Sequence, residues 1–155
     1  MKRIIKQIRN IEKIEKELLE NYAGVIYLQL VDDKSEQLSI PFLYKDKNVF
    51  LFFAENDELY EDIQFDSFVS FTTLRNMKVR KTKKADFNPT YRFCTVRISG
   101  SIRKIDDTKT IQELRKSYAE KYSGRTDKTD LDFNVIKNVV VIDTEEINAI
   151  EEIGG

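Results

Sequence analysis

Residues 24–73 constrain the fold of this chain more than any other stretch of its sequence. Val, Ile, Phe and Tyr are concentrated there in short runs, and such side chains suit a pleated, half-buried surface. Polar clusters at residues 32–35 and 45–48 separate these runs and are typical of hairpin turns. Successive hairpins form an antiparallel sheet, which must curl or close to hide its edges.

The whole sequence predicts a mainly β chain with six or seven antiparallel strands. The predicted strands cover residues 25–31, 37–44, 48–54, 68–74, 91–105, 139–143 and, as a strand or turn, 147–153. Pro41 cannot donate to a sheet ladder, so it marks either a plain edge or a break that faces a ligand. Gly100, inside the longest strand, indicates a β-bulge or a close backbone approach.

Three helices are predicted beside the strands. The first covers residues 2–21, where apolar residues recur at spacings of three and four, namely Ile4, Ile8, Ile11, Ile14 and Leu18. It is either a coiled-coil partner or, as we expect from its short length, a helix packed on the barrel. A short helix is predicted at residues 58–65. The third begins at a cap formed by Asp107 or Thr108 and ends near Tyr122.

The composition indicates a single domain, residues 1–155, with an ordinary hydrophobic core. Apolar residues make up 41% of the chain and aromatic residues 11%, which is too many for a disordered protein. The net charge of −1 disfavours nucleic acids and anionic membranes as partners. The sequence has no apolar run long enough to cross a bilayer, and we expect no signal peptide.

The lack of histidine excludes several kinds of chemistry. With no His and one Cys, one chain cannot form a histidine-based triad or a zinc site built on His or several Cys ligands. An all-carboxylate Mg or Ca site stays open, but no loop has the Asp/Asn and Gly spacing of a calcium loop, so we expect no metal site. Any redox activity would therefore need a bound cofactor. A single cysteine, Cys94, suits a reducing compartment, so we expect a cytoplasmic protein. Because its neighbours in the predicted strand are apolar, we expect Cys94 to be buried and inert.

Residues 75–90 carry a strong local positive charge. The basic side chains are Arg75, Lys78, Arg80, Lys81, Lys83 and Lys84. We interpret this segment as a mobile loop or hairpin extension that is solvated, with an anion site as the alternative. A nucleic-acid site is a weaker interpretation, because the basic stretch lacks aromatic side chains that stack on bases and the sequence pI is about 5.7.

The order of these elements and several short motifs carry a family resemblance. The motifs are the strand at 24–30, Ser39-Ile40-Pro41-Phe42, the Phe-rich strand at 49–54, the helix at 59–64, Val69-Ser70-Phe71, and the strand at 91–100 that ends in Gly100. Together they resemble the flavin-binding split barrel of the pyridoxamine 5′-phosphate oxidase superfamily, especially its nitroimidazole-resistance-like branch. The resemblance implies an antiparallel split barrel with flanking helices.

The resemblance also implies a cofactor, a partner and site residues. Members of that family bind FMN in a groove between two subunits, so it implies a homodimer with the site at the interface and a small-molecule substrate. The implied contacts are Ser39, Ile40, Pro41 and Phe42, then Phe53, Ala54, Glu55 and Asn56, and finally Ser70, Tyr91 and Arg97. Core packing is the alternative for Phe53, and an ordinary surface charge is the alternative for Arg97.

One departure from the family pattern concerns the phosphate of FMN. The family places a Lys or Arg at the start of the short helix, where this chain has Asn56, Asp57 and Glu58. Acidic residues suit a helix N-terminus but repel a phosphate. Our hypothesis is that Lys78, Arg80 and Lys81 supply the missing charge. The alternative is that FMN binds weakly or not at all and the fold serves another ligand.

These observations predict an FMN-binding split-barrel protein that acts as a flavin-dependent oxidoreductase on a small molecule. Tyr91 and Arg97 are the candidate contacts for substrate or flavin, and the sequence shows no obvious acid or base. The alternative is a non-enzymatic ligand-binding or sensing module on the same fold with a degenerate phosphate site. A bound yellow chromophore distinguishes the two.

Overall fold

A computed structural model describes residues 3–80, 90–123 and 136–154 of the chain. Within these ranges the protein has eight strands and three helices. The strands are β1 (Arg3–Ile8), β2 (Gly24–Leu30), β3 (Lys34–Ile40), β4 (Leu43–Lys45), β5 (Asn48–Ala54), β6 (Phe68–Arg80), β7 (Thr90–Lys104) and β8 (Ile136–Gly154). The helices are α1 (Ile11–Glu20), α2 (Glu58–Asp62) and α3 (Thr108–Ser123). None of the described helices combines the length and the apolar character needed to span a bilayer.

All eight strands belong to one antiparallel sheet, in the order β3-β2-β6-β7-β8-β5-β4 with β1 beside β8. The last strand, β8, joins the two halves of this sheet. One of its edges pairs with β7 along almost its whole length. Its other edge pairs first with β5 and then with β1. The sheet curls without closing, which makes a split barrel with flanking helices.

The interior of the barrel is filled by aliphatic and aromatic side chains from both halves of the sheet. The fully buried members include Leu18, Ile26, Leu28, Phe42, Val49, Leu51, Phe71, Ile98, Ile102 and Ile142. Phe42 packs edge-on against Phe71, with ring centroids 4.9 Å apart. A second cluster lies under α3, where Leu114 packs against Leu43, Phe50, Val139 and Val141. Helix α3 therefore covers β4, β5 and β8 on the face that points away from the barrel interior.

Helix α1 is held against the barrel by an ion pair as well as by apolar contacts. Ile14 and Leu18 are buried, and so is the carboxylate-bearing Glu17, which is 5% exposed. Arg75 of β6 donates from Nε to Glu17 at 2.8 Å and makes a second bond through its terminal nitrogen. A buried carboxylate is tolerated only when it is paired in this way, so Arg75 fixes the position of α1.

The N-terminal helix is the part of the fold that the sequence placed wrongly. A helix from residue 2 was expected, but Arg3–Ile8 is strand β1, and α1 begins only after Asn10. Asn10 caps α1 through its side chain, which accepts hydrogen bonds from Glu12 and Lys13. The helical spacing of Ile4 and Ile8 is overridden because β1 pairs with the distant end of β8.

Other boundaries differ in smaller ways. The predicted strand at 37–44 is interrupted at Pro41 into β3 and β4, and the helix at 58–65 is only the five residues of α2. For the basic segment at 75–90, the hairpin extension is the alternative that the structure shows, because β6 continues to Arg80 and pairs there with the start of β7. Residues 81–89 lie outside the described residues. The two last predicted strands are one continuous strand, β8. The remaining strands lie where they were predicted.

Gly100 occupies the irregular point in the β7–β8 ladder, as its sequence position predicted. The register shifts between Ser99 and Gly100. A Cβ atom placed on Gly100 would lie 2.0 Å from the carbonyl oxygen of Asp143, which is backbone and cannot move aside. The bulge therefore depends on the absence of a side chain at residue 100.

We predict that Gly100→Ala lowers the free energy of unfolding by about 1–3 kcal/mol, because a methyl group is forced against the backbone of β8. Urea denaturation of the variant and the wild type measures this difference. Ser99→Ala is the matched control, since Ser99 precedes the bulge and its side chain points away from the barrel interior. A Gly100→Ala midpoint equal to that of the control contradicts the prediction.

Cys94 lies on the inner face of β7 and is buried, as expected from its neighbours. The pKa of its thiol is raised to about 11, chiefly by burial and to a smaller extent by the nearby Glu17 carboxylate, while Arg75 acts in the opposite direction. The thiolate is the reactive form of cysteine. Cys94 is therefore protected both by its burial and by its protonation near neutral pH.

We predict that a thiol-specific disulfide reagent does not modify the native protein at pH 7 to 8, and modifies one thiol per chain in denaturant. Raising the pH toward about 11 increases the thiolate fraction, so any slow native labelling should accelerate over that range. Absorbance of the released thiolate follows the reaction. Rapid labelling of the native chain at neutral pH is the result that would show Cys94 to be accessible.

Candidate functional site

A shallow cavity of about 540 Å³ lies on the outer face of the half-sheet formed by β3, β2, β6 and β7. It arises from the alternation of side chains along β2, whose residues are buried and exposed in turn. The residues that point away from the barrel interior face this cavity. Its lining consists of Ala23, Gly24, Val25, Tyr27, Gln37, Ser39, Ser70, Thr72, Leu74 and Arg97.

The strand register places these residues in rows across the sheet. In one row, Val25 lies opposite Ser39 on β3 and opposite Thr72 on β6, and Thr72 in turn lies opposite Arg97 on β7. Four neighbouring strands span roughly 14 Å at the usual separation. The row therefore forms a flat floor with a hydroxyl at one end and a guanidinium at the other.

The chemistry of the lining suits a flat ligand with polar edges and a negative charge. Val25, Tyr27 and Leu74 supply apolar surface, and they are 37%, 46% and 60% exposed. The hydroxyl-bearing side chains and the Gln37 amide supply hydrogen-bonding groups. Arg97 has no hydrogen bond or ion pair with another described residue, so its N–H donors face the cavity side of the sheet uncommitted.

Glycine at position 24 lets β2 lie directly on the core. A Cβ atom there would come within 2.2 Å of the Phe71 ring, which is fully buried. The end of the cavity formed by Ala23 and Gly24 therefore rests on the aromatic pair of Phe71 and Phe42. A larger residue at this point would push the start of β2 outward.

The cavity brings together three of the residues predicted from the sequence, Ser39, Ser70 and Arg97. The sequence did not single out the other lining residues as contacts, among them Val25, Tyr27 and Thr72. The spacing of two residues between Val25 and Tyr27 does place them on one face of the predicted strand. Which face stays uncovered depends on where α1 and α3 pack, and this is not a local property of the strands.

The bend after β3 contributes less to the cavity than expected. Ile40 and Phe42 are buried in the barrel core, at 6% and 0% exposure. Pro41 is exposed between β3 and β4 and does not line the cavity. Only Ser39 of this predicted group reaches the cavity floor.

The predicted contacts at the end of β5 lie on the other half of the sheet. Phe53 is buried against Tyr60, with ring centroids 5.7 Å apart. The Ala54 carbonyl accepts a hydrogen bond from Asn138 at 3.2 Å, and Glu55 pairs with Lys137 at 3.2 Å. Asn56 is exposed in the following turn. Within one chain, these residues do not meet the cavity on β2 and β6.

The start of α2 is occupied by an acidic cap. Asp57 accepts hydrogen bonds from the backbone N–H groups of Leu59 and Tyr60, at 2.9 and 3.3 Å. Glu58 and Glu61 add negative charge in the first turn. These contacts stabilise the short helix, and they use amide donors that an anion would need. The sequence-based concern about a phosphate at this position therefore has a structural basis.

Arg80 and Tyr91 belong to a second cavity of about 410 Å³, which Thr90, Arg92, Ile153 and Gly154 also line. Tyr91 and Arg97 are separated along β7 by about 20 Å in extended geometry. The structure thus divides the predicted β7 contacts between two surfaces. Lys78 belongs to β6, but its side chain and the whole of Lys81 fall outside the described residues.

Metal chemistry finds no support in the described part of the chain. In residues 3–80, 90–123 and 136–154, no group of three or more Cys, Asp or Glu side chains is arranged to hold a metal ion. The cavity itself contains one charged side chain, that of Arg97. Its chemistry is therefore that of an anion-tolerant, hydroxyl-lined surface.

Comparison with known proteins gives a match in structure and none in sequence. No protein-family model matches the chain, and no curated protein matches it significantly. Solved structures match it along almost its whole length. A candidate 5-nitroimidazole antibiotic resistance protein from Bacteroides thetaiotaomicron superposes with a TM-score of 0.75 at 12% identity, covering 100% of this chain and 93% of that one.

Two further solved structures have a similar fold. A candidate pyridoxamine 5′-phosphate oxidase from Corynebacterium glutamicum has a TM-score of 0.63 at 15% identity, covering 100% of this chain and 98% of that one. An FAD-binding protein from Mesorhizobium loti has a TM-score of 0.66 at 14% identity, covering 96% and 98%. At these identities the likeness concerns the fold. The chain therefore has the split-barrel fold of the pyridoxamine 5′-phosphate oxidase-like proteins, as the resemblance of its sequence predicted.

Proposed function

We propose that this protein binds a flavin, FMN, on the outer face of β3, β2, β6 and β7. The observation that carries the proposal is the flat cavity with hydroxyl groups along its floor and the uncommitted Arg97 at one side. Its volume lies in the range of ordinary small-molecule sites. Support also comes from the fold, because one structural neighbour is described as an FAD-binding protein.

Each group in the cavity has a role in this proposal. Arg97 holds the negatively charged phosphate, since a guanidinium pairs strongly with such groups. Ser39, Ser70 and Thr72 offer hydroxyls to the polar edges of the ring system. Tyr27 and Leu74 shield its apolar part from water. A single cation matches the single phosphate group of FMN, so we propose FMN ahead of FAD.

A bound flavin supplies the capacity to exchange electrons with a small molecule, which the side chains of this protein lack. The chain's part is to bind and orient the ring and to limit its contact with water. An oxidoreductase activity on a small molecule is the further step of the proposal. In such a reaction the protein would act by positioning the flavin and the substrate and by its electrostatic field, because the described lining contains no carboxylate, amine or thiol.

That same observation favours a second candidate function. A described lining without a carboxylate, amine or thiol suits a non-enzymatic module that binds or senses a flavin or another flat anion. The two candidates differ in one measurable respect. An enzyme would pass electrons between its bound flavin and a small-molecule substrate over repeated turnovers, whereas a sensing module would hold the flavin without turnover.

We also propose that the protein is a homodimer whose second copy covers this cavity. Val25, Tyr27 and Leu74 are apolar and exposed on one open face, which is typical of a surface that a partner covers. The exposed predicted contacts Glu55 and Asn56 lie on the other half of the sheet, so a second copy is the means by which they would reach the ligand. Sedimentation or light scattering at micromolar concentration measures the oligomeric state, and a monomer contradicts this proposal.

The visible absorbance spectrum of the purified protein tests the proposed function directly. We expect a flavin spectrum in the protein as isolated, or quenching of FMN fluorescence when FMN is added to protein without flavin. A parallel titration with FAD establishes which flavin is preferred. Failure of both flavins to bind at tens of micromolar protein would leave the fold intact and remove the proposed function.

We predict that Arg97→Ala weakens FMN binding by about 10- to 100-fold, because a hydrogen bond to a charged group contributes about 1.5–3 kcal/mol. The salt dependence of binding should also become flatter, since a charge that attracts the phosphate is lost. Fluorescence titration at two ionic strengths measures both effects. Arg9→Ala removes the same charge from an exposed turn away from the cavity and serves as the control. Equal affinity of the two variants contradicts the role of Arg97.

The triple variant Lys78→Ala, Arg80→Ala, Lys81→Ala tests the hypothesis that the basic segment supplies the phosphate charge. If Arg97 is the phosphate ligand, the triple variant changes FMN affinity less than Arg97→Ala does. If the basic segment reaches the phosphate, the triple variant has the larger effect and the larger loss of salt dependence. The comparison uses the same titration, and it assigns the phosphate to one surface or the other.

A further inference from the structure

The backbone of Phe42 lies in a gap between two strands. β3 ends at Ile40 and β4 begins at Leu43, so the N–H and C=O groups of Phe42 have no partners in a sheet ladder. Pro41 beside it has no N–H to offer. The Phe42 side chain is completely buried. Polar backbone groups in such a position require other partners.

Both partners come from the last turn of α3. The Phe42 N–H donates to the Tyr122 hydroxyl at 3.0 Å, and Lys121 Nζ donates to the Phe42 carbonyl at 2.8 Å. The Tyr122 hydroxyl has one proton, and its shortest acceptor is the carbonyl of Tyr22 at 2.6 Å. The hydroxyl therefore accepts from Phe42 and donates to Tyr22 at the same time.

The two hydrogen bonds of the Tyr122 hydroxyl, from Phe42 and to Tyr22, join the chain segments that form one end of the cavity. Tyr22 immediately precedes Ala23 and Gly24, and Phe42 follows Ser39 by three residues; Ala23, Gly24 and Ser39 all line the cavity. Gly24 and Ile40 are also register partners at the end of the β2–β3 ladder. One hydroxyl on α3 thus connects the start of β2 with the exit of β3.

A second path of contact leads from Phe42 to the same place. The Phe42 ring packs edge-on against Phe71 at 4.9 Å. Phe71 lies so close to Gly24 that a Cβ atom there would be 2.2 Å from the ring. A displacement of Phe42 would therefore reach the cavity floor through the core as well as through the backbone.

We propose that Tyr122 is a positioning residue for the cavity. Its hydroxyl fixes the relative position of Ala23–Gly24 and Ser39, and so sets the shape of the end of the floor that they form. The identity of the ligand in this inference rests on the proposed flavin function, but the tie itself does not. Tyr122 is not among the residues that line the cavity, so it acts through the segments that it holds.

Tyr122→Phe tests this inference because it removes the hydroxyl and keeps the ring. The ring contacts of Tyr122 with Tyr22 and Tyr118, at 5.9 and 4.7 Å, remain possible. Tyr118→Phe is the matched control, since it removes a hydroxyl from the neighbouring ring of α3. That hydroxyl has no hydrogen bond with another described residue. Two readouts are needed: backbone hydrogen exchange of the full chain, and FMN affinity by fluorescence titration.

We expect Tyr122→Phe to raise hydrogen exchange by about tenfold at residues 22–26 and 39–43, and to raise the Kd for FMN by a similar factor. Exchange in the β7–β8 ladder should stay unchanged, which separates positioning from general destabilisation. The Tyr118→Phe control should resemble the wild type in both readouts.

Three results would overturn the inference: exchange equal in the two variants, exchange raised throughout the chain, or locally raised exchange with an unchanged Kd for FMN. If the wild type binds no flavin, the proposed function fails separately. Hydrogen exchange then decides the inference, and a rise confined to the two segments supports the tie.

Discussion

The pairing of β7 with β8 is the interaction on which the rest of the structure depends. These two strands run side by side from Tyr91 opposite Gly154 to Lys104 opposite Val140. Every other strand reaches the sheet through one of them, directly or through a neighbour. This ladder contains the bulge at Gly100, and Arg97 projects from its outer face into the cavity. The same pair of strands therefore closes the core and positions the one charged group of the cavity.

The sequence predicted the parts of the fold that depend on local pattern. The run of apolar and aromatic residues at 25–31 and the turn residues after it predicted a hairpin where β2 and β3 lie, and Gly100 marks the bulge. The first strand was missed because the spacing of Ile4 and Ile8 also fits a helix, and only pairing with β8 decides between the two. Of the residues that line the cavity, Ser39, Ser70 and Arg97 are among the contacts that the family resemblance implies. Their neighbours on the floor were not predicted as contacts, because the packing of the helices decides which face of a sheet remains open.

The acidic start of α2 shows how one local requirement excludes another. A helix of five residues has little stability of its own, and the Asp57 carboxylate satisfies two of its amide groups. The same carboxylate makes the position unsuitable for a phosphate. An anion is better placed on the sheet, where Arg97 projects from a rigid strand between two paired neighbours. In the proposed site, the residues that stabilise the helix and those that bind the ligand therefore belong to separate elements.

The strands at the two ends of the strand order, β3 and β4, limit edge-to-edge pairing between copies of this molecule. β3 is exposed along most of its length and carries Lys34 and Glu36, whereas β4 at the opposite margin has only three residues and follows Pro41. Charge, brevity and proline all discourage the addition of a foreign strand to a sheet. Addition of a further strand is thereby opposed at β3 and at β4. The proposed dimer uses the broad outer surface of β3, β2, β6 and β7 and needs no pairing at these edges.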